Sequence, residues 1–139
     1  TKNGIGALFS DNSGRSWIGS DLIYARNARG GVMVDRYLFY ITTSGIEMKR
    51  TNYTDFYNGL SIARKKLAGI NVASIESSMQ NRLDTEQTIL IGSGPIEFQR
   101  LSGYVTPKGV IKLFYYGNNG ELVCMESSDS RKWKVADNF

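Results

Sequence analysis

The chain has 139 residues, a formal charge of +4 and no histidine. Its length suits one domain with a hydrophobic core, and 41% apolar against 22% charged residues is ordinary for a globular protein. The lack of histidine excludes histidine-based acid–base catalysis, a Ser-His-Asp triad and histidine metal sites, and the single Cys124 excludes an intrachain disulfide.

The first part of the chain, residues 3–53, predicts a series of β-hairpins. Asn3-Gly4 and Ser44-Gly45 are turn signals, and a polar loop over residues 10–16 separates the first two apolar stretches. A further turn is expected over residues 27–31. The strands predicted between these turns cover residues 5–9, 17–24, 32–41 and 46–50.

The middle of the chain, residues 54–84, changes to a helical period. One helix is predicted over residues 54–68, capped by Thr54 or Asp55 and ended by Gly69. Its apolar positions fall on one face with spacings of four, three and four: Phe56, Leu60, Ala63 and Leu67. Residues 74–83 form either a second helix or, over residues 70–75, a strand.

Strand signals return over residues 88–135. Strands are predicted at residues 88–91, 96–101, 110–116 and 121–126, and Asn119-Gly120 is the strongest hairpin turn signal in the chain. The sequence therefore predicts a single domain, residues 1–139, that is mainly β with a central helical segment. Its hairpins either repeat like propeller blades or form a compact β-sheet domain, which can also be described as α+β.

An internal repeat links the two ends of the chain. Gly4 precedes Trp17 by thirteen residues, Gly120 precedes Trp133 by the same thirteen, and these are the only two tryptophans. Leu-Phe-Tyr triplets at residues 38–40 and 113–115 likewise begin seven residues before a turn glycine. Either the hairpins are copies of one unit, or any set of hairpins looks this similar.

The loops before the tryptophans resemble the Asp-box, or BNR repeat, of the sialidase superfamily. That pattern is Ser/Thr-x-Asp-x-Gly-x-Thr-Trp, between the outer strands of a propeller blade. Residues 10–17 fit it with Asn in place of Asp, whereas residues 127–133 lack the glycine and are one residue shorter. Residues 51–56 are a candidate third copy. The residues that carry the resemblance are Ser10, Asn12, Gly14, Trp17, Asp129 and Trp133.

The resemblance implies a structural role for these loops and a link to glycans. In the family the box lies away from the active site, and the site itself uses arginines that bind a substrate carboxylate. The family's Phe/Tyr-Arg-Ile/Leu-Pro signature is absent. The candidate carbohydrate-binding residues are Tyr24, Arg26, Arg29, Arg36 and Arg100; other tyrosines that could stack on a sugar are Tyr37, Tyr53, Tyr57, Tyr104 and Tyr116.

Three functional hypotheses follow. The first is a carbohydrate-binding β-domain, for sialic acid or another acidic glycan, from a larger secreted or phage protein. The second is a fragment of a sialidase-type glycoside hydrolase, for which no catalytic pair can be named. The third is an assembly domain of a phage tail protein. We expect an extracellular or virion-surface location, no cofactor, metal or membrane, no nucleic-acid partner, and either a monomer or a homo-oligomer.

Overall fold

The computed structural model describes residues 4–92, 100–117 and 119–136. The chain forms two compact units, one made of Thr1–Arg26 and Thr51–Glu86, the other of Asn27–Arg50 and Gln87–Phe139. The fold is mainly β, with small antiparallel sheets and two helices, as predicted. The single-domain interpretation stays a prediction.

The first unit combines two short strand pairs with two helices. β1 (Gly4–Ile5) pairs with β4 (Ala25–Arg26), and β2 (Leu8–Phe9) pairs with β3 (Ile18–Gly19), both antiparallel. Helix α1 spans Tyr53–Leu67 and helix α2 spans Ala73–Asp84. The core shared by these elements is formed by Leu22, Tyr24, Ile62, Val72, Met79 and Leu83.

Helix α1 begins at a different cap from the one expected. The side chain of Asn52 accepts a hydrogen bond from the N–H of Thr54, so Asn52 is the N-cap rather than Thr54 or Asp55. Residues 51–56 are therefore the start of a helix and not a third box. Gly69 does follow the helix with a φ of +80°, and residues 70–75 do not form a strand.

The buried face of α1 also differs from the predicted one. Asp55, Gly59, Ile62 and Ala63 are buried, whereas Leu67 is 75% exposed. Gly59 explains the shift, because a Cβ there would collide with the hydroxyl of Tyr24. The helix therefore places Gly59, which has no Cβ, against Tyr24, and Leu67 points away from the core.

The second unit contains two antiparallel four-stranded sheets. One sheet has the order β5 (Gly31–Val34), β6 (Tyr37–Thr42), β7 (Gly45–Arg50), β8 (Thr88–Gly92). The other has the order β12 (Lys134–Val135), β11 (Leu122–Ser127), β10 (Ile111–Tyr116), β9 (Ser102–Val105). One hydrophobic core joins both sheets, with Phe39, Ile46 and Leu113 fully buried in it.

One strand prediction for this unit was wrong in its limits. The continuous strand over residues 32–41 is broken by a turn at Asp35, whose φ is +55°, and its halves pair with each other as β5 and β6. Asp is one of the few residues besides glycine that enter this region. Most of the strand predicted at residues 96–101, and Asn3 of the first turn signal, lie outside the described residues.

Candidate functional site

The first box loop is held by two side chains that accept hydrogen bonds from its backbone. Ser10 Oγ accepts from the N–H of Gly14 at 2.8 Å, and Asn12 Oδ1 accepts from the N–H of Ser16 at 3.0 Å. Trp17 Nε1 donates to the carbonyl of Gly14 at 3.1 Å. These bonds satisfy the polar backbone groups of a loop that closes between β2 and β3.

The second box loop, between β11 and β12, repeats this arrangement. Ser127 Oγ accepts from the N–H of Asp129 at 3.3 Å, and Asp129 Oδ1 accepts from the N–H groups of Arg131 and Lys132, both at 2.9 Å. Trp133 Nε1 donates to the carbonyl of Ser130 at 3.2 Å. In both loops the Asn or Asp oxygen thus accepts from the residue before the tryptophan. In both, the indole bonds to a carbonyl three residues back.

The flanking strands have equivalent registers. Phe9 pairs with Ile18 across the first loop, and Glu126 pairs with Lys134 across the second. In each case the residue before the serine faces the residue after the tryptophan. The two loops therefore share the bonds of the Asn or Asp oxygen and of the indole, and their position on a strand pair, whereas their serines accept the shortest bond from different positions.

The missing glycine of the second loop has a simple cause. The first loop contains two consecutive left-handed residues, Ser13 at φ +60° and Gly14 at φ +86°. The second loop contains one, Ser130 at φ +63°, and is one residue shorter. The deleted residue is the second left-handed one, and it is the position at which the first loop uses glycine.

The two tryptophans lie in different surroundings. Trp17 is 58% exposed, so its indole buries little apolar area. Trp133 is half-buried and meets Phe39 edge to face, with ring centroids 5.6 Å apart. Only the second box is therefore attached to a hydrophobic core through its indole.

The five predicted carbohydrate-binding residues divide between the two units, with Tyr24 and Arg26 in the first and Arg29, Arg36 and Arg100 in the second. Tyr24 is buried in the core of the first unit and stacks on Phe56 at 5.0 Å. Burial, with a smaller contribution from Asp55, raises the pKa of Tyr24 to about 12. Its ring is packed against protein and offers no face for a sugar.

The four predicted arginines are exposed on the two units. Arg26 belongs to the first unit and forms an ion pair with Asp84 at 2.8 Å. In the second unit, Arg29 and Arg36 are exposed in the segments before and after β5. Arg100 is exposed before β9. A carbohydrate site formed by these arginines stays a prediction.

A different surface gathers aromatic and charged side chains. Alternate residues of β9–β12 face the core of the second unit, so their neighbours form the opposite face. We call this the outer sheet face, and it consists of Ser102, Tyr104, Lys112, Phe114, Tyr116, Leu122, Cys124, Glu126 and Lys134, of which Cys124 is fully buried.

The charged part of the outer sheet face is one cross-strand row. Tyr104 pairs with Lys112, Lys112 with Glu126, and Glu126 with Lys134. The row places one carboxylate between two ammonium groups, so its net charge is positive. Directly opposed residues in antiparallel strands lie close enough for their side chains to interact.

The aromatic part lies beside this row. Tyr104 and Phe114 stack with ring centroids 5.9 Å apart and planes inclined by 16°. Tyr116 is 57% exposed two residues further along β10, where it pairs with the exposed Leu122. The exposed rings of Tyr104 and Tyr116 and the half-buried ring of Phe114 form a flat apolar patch on the sheet. A contiguous apolar patch on a protein surface often marks a binding site.

A groove of about 400 Å³ continues the outer sheet face next to the second box. Glu126 and Lys134 belong to both, and Trp133 and Lys132 line the groove beyond the row. Asp129 also lines it, but its oxygen is occupied by the loop: hydrogen bonds from the backbone N–H groups of Lys132 and Arg131 lower its pKa. An ionised, internally bonded carboxylate is a poor proton donor.

The described acidic side chains and Cys124 bear on metal binding and on thiol chemistry. The described part of the chain contains no group of three or more Cys, Asp or Glu side chains that could hold a metal ion. Burial raises the pKa of the Cys124 thiol, which lies on the outer sheet face opposite Phe114 but is fully buried, so it stays protonated at neutral pH. Neither α1 nor α2, the helices of the described ranges, has the length and apolar character needed to span a membrane.

No family model, curated protein or solved structure gives a significant match to this chain. The candidate site is therefore argued from its own side chains.

Sequence reasoning identified Tyr104 and Tyr116 as possible sugar-stacking residues but not their companions. The alternation of Lys112, Phe114 and Tyr116 along β10 was a visible signal of one face of a strand. Glu126 and Lys134 could not be assigned to this face from the sequence. Glu126 lies opposite Lys112 and Lys134 lies opposite Glu126, and both positions depend on the register of three strands.

Proposed function

We propose that this chain is a carbohydrate-binding β protein that recognises an acidic glycan with the outer sheet face. The observation that carries the proposal is the exposed Tyr104, stacked on the half-buried Phe114, next to a lysine row. A pyranose ring has an apolar face that packs on an aromatic ring, and a sugar carboxylate is attracted by an ammonium group.

The dimensions of the surface agree with an extended ligand. Tyr104 and Tyr116 are 51% and 57% exposed, and Phe114 lies next to both on the same sheet face. Successive sugar rings could therefore stack on successive aromatic rings, and a carboxylate would lie beside Lys112 or Lys134. Glu126 between the two lysines can accept hydrogen bonds from sugar hydroxyls.

Binding without turnover is the expected behaviour. A glycoside hydrolase needs two carboxyl groups in defined positions with separate acid and base or nucleophile roles. In the groove beside the second box, both backbone N–H groups of Arg131 and Lys132 already occupy the Asp129 carboxylate. These facts favour a binding module over the sialidase-type hydrolase alternative.

Membership of the Asp-box proteins and an origin in a larger secreted or phage protein are part of the same proposal. Two loops with equal hydrogen bonds at equal places on strand pairs support it. A location outside the cell or on a virion accords with glycan recognition.

The test is a glycan array that includes sialylated, uronic-acid and neutral glycans, followed by calorimetry on the best binder. Tyr104→Ala and Tyr116→Ala should each weaken binding by about tenfold, the effect of losing about 1.4 kcal/mol. Tyr53→Ala and Tyr57→Ala are matched controls, because both are exposed tyrosines on α1. Lys134→Gln should weaken binding of acidic but not of neutral glycans, with Lys108→Gln as its control.

Two results would remove the proposal. The first is an array without binding, or binding that Tyr104→Ala and Tyr116→Ala leave unchanged. The second is a concentration-dependent dimer in light scattering that Tyr104→Ala abolishes, because the outer sheet face would then serve assembly. Release of free sugar from a bound glycan would instead favour the hydrolase.

A further inference from the structure

A second groove, of about 550 Å³, lies between α1 and α2 in the first unit. Its polar lining consists of cations, hydroxyls and one amide: Asn58, Ser61, Lys65, Ser74, Ser78 and Arg82. Ile62 and Met79 are its apolar lining residues at the core. Among the described residues that line it there is no carboxylate, although the groove carries two positive charges.

The charges around this groove are distributed unevenly. In the basic run of α1, Arg64 pairs with Asp11, and Lys66 pairs with Asp21 and Glu76. Lys65, between them, forms no ion pair with any residue within the described ranges. Among the three consecutive cations of α1, the one without a carboxylate partner in the described residues, Lys65, is thus the one that lines the groove.

An ion pair with the buried Asp55 orients the side chain of Arg82. Its Nη2 lies 2.5 Å from Oδ1 of Asp55, a buried carboxylate, as an ion pair that is not aligned as a hydrogen bond. The Arg82 side chain remains 49% exposed, and a guanidinium has five N–H donors. The pair therefore orients Arg82 and leaves further donors for a ligand.

The other side of α2 shows that this imbalance is not a general property of the helix. A groove of about 470 Å³ there is lined by Asp21, Glu76 and Asp84. Each of these acids pairs with a cation, Lys66 or Arg26. On that side each acidic side chain has a cation of the protein as its partner, whereas the described lining of the groove between the helices supplies no anion to Lys65.

We propose that the groove between α1 and α2 binds a small organic anion, through Lys65, Arg82 and the serine hydroxyls. Phosphate and carboxylate groups both accept hydrogen bonds from ammonium, guanidinium and hydroxyl donors. The volume is that of a small-molecule site rather than of a single ion, and the apolar lining suits the carbon part of such a ligand. This site is independent of the outer sheet face.

The experiment is an NMR titration of the full chain with inorganic phosphate and, separately, with citrate. The expected result is a saturable shift of the backbone amide signals of Ser61, Ser74 and Ser78 with at least one probe. Saturation by phosphate alone, or by citrate alone, identifies which oxyanion the groove prefers. Absence of any saturable shift with both probes would overturn the proposal.

Two charge-matched variants separate a site from general attraction. Lys65→Gln should weaken binding by about fivefold, as expected for loss of one exposed cation contact. Lys66→Gln removes the same charge from the next residue of the same helix and should change the affinity by less than about twofold. Equal weakening by both variants would mean that the anion responds to net charge and that no site exists.

Ser78→Ala gives a test that leaves the charge unchanged. It removes one lining hydroxyl from α2 and should weaken binding by about threefold to tenfold, the effect of one hydrogen bond to a charged group. Circular dichroism serves to confirm that α2 is intact in this variant. Full affinity in a folded Ser78→Ala variant would contradict the part assigned to the hydroxyls.

Discussion

The two box loops share a hydrogen-bonding scheme and differ in what their tryptophans contact. Asn12 and Asp129 accept from equivalent backbone N–H groups, and both indoles donate to a carbonyl three residues back. Trp133 nevertheless packs on Phe39, whereas Trp17 is mostly exposed. The motif thus determines the loop conformation, while the contacts of the tryptophan depend on the neighbouring structure.

The largest expected difference between the loops is the effect of removing the indole. Trp133→Ala should lower the free energy of unfolding by about 2–3 kcal/mol, because it removes a half-buried ring and its contact with Phe39. Trp17→Ala should cost less than about 1 kcal/mol, mainly the hydrogen bond to Gly14. Urea unfolding of both variants gives the measurement.

The conservative variants Trp133→Phe and Trp17→Phe serve as controls. Each removes the indole N–H but keeps an aromatic ring, so they should differ much less than the alanine pair. Equal losses for Trp133→Ala and Trp17→Ala would contradict the difference in packing.

A smaller difference is expected at the left-handed serines. Ser130 is buried and its Oγ accepts a hydrogen bond from Arg50 Nη2 at 2.9 Å, whereas Ser13 is exposed. Ser130→Gly should destabilise by about 1 kcal/mol, since loss of this bond outweighs relief of the positive φ. Ser13→Gly should change stability by no more than a few tenths of a kcal/mol.

Thermal unfolding of the two glycine variants provides the measurement. The double variant Arg50→Ala with Ser130→Gly isolates the pair, because the cost of Ser130→Gly should shrink once Arg50 is absent. A Ser130→Gly protein as stable as the parent would show that the Arg50 bond contributes nothing.

Short sequence patterns predicted most of the helices and strands, whereas features that depend on contacts between distant residues were missed. The turn at Asn119-Gly120, the strands of β7, β10 and β11, and both helices follow from short patterns of glycine, apolar and capping residues. The face predicted for α1 was right at Phe56 and Ala63 and wrong at Leu67, because burial there depends on the close approach of Tyr24 to Gly59. Nothing near residue 59 in the sequence indicates contact with a tyrosine 35 residues earlier.

The candidate site was less predictable than the fold for a related reason. The box residues were found because their interactions span no more than five residues, as from Ser10 to Gly14. The outer sheet face joins Tyr104, Lys112, Glu126 and Lys134 across four strands, so it exists only once the register is known. The arginines were chosen by residue type alone, and a site that combines them stays a prediction.

The smallest expected difference between the loops is their response to acid. Hydrogen bonds to Asp129 lower its pKa in the folded state, so the unfolded chain takes up the proton more readily. The stability that Asp129 contributes is therefore present above its ordinary pKa of about 4 and is lost as pH falls through the lower, folded value. Asn12 has no proton to gain, and the first loop lacks this response.

Exchanging the two side chains should exchange the acid response. Asp129→Asn should flatten the fall in stability below about pH 4, and Asn12→Asp should steepen it, because the introduced carboxylate would accept the same N–H from Ser16. The check is urea unfolding from about pH 2.5 to pH 7, with Asp35→Asn, in a turn outside both loops, as the control. If Asn12→Asp leaves the profile unchanged while Asp129→Asn flattens it, the loops share geometry but not electrostatics. The anionic acceptor would then be a property of the second box alone.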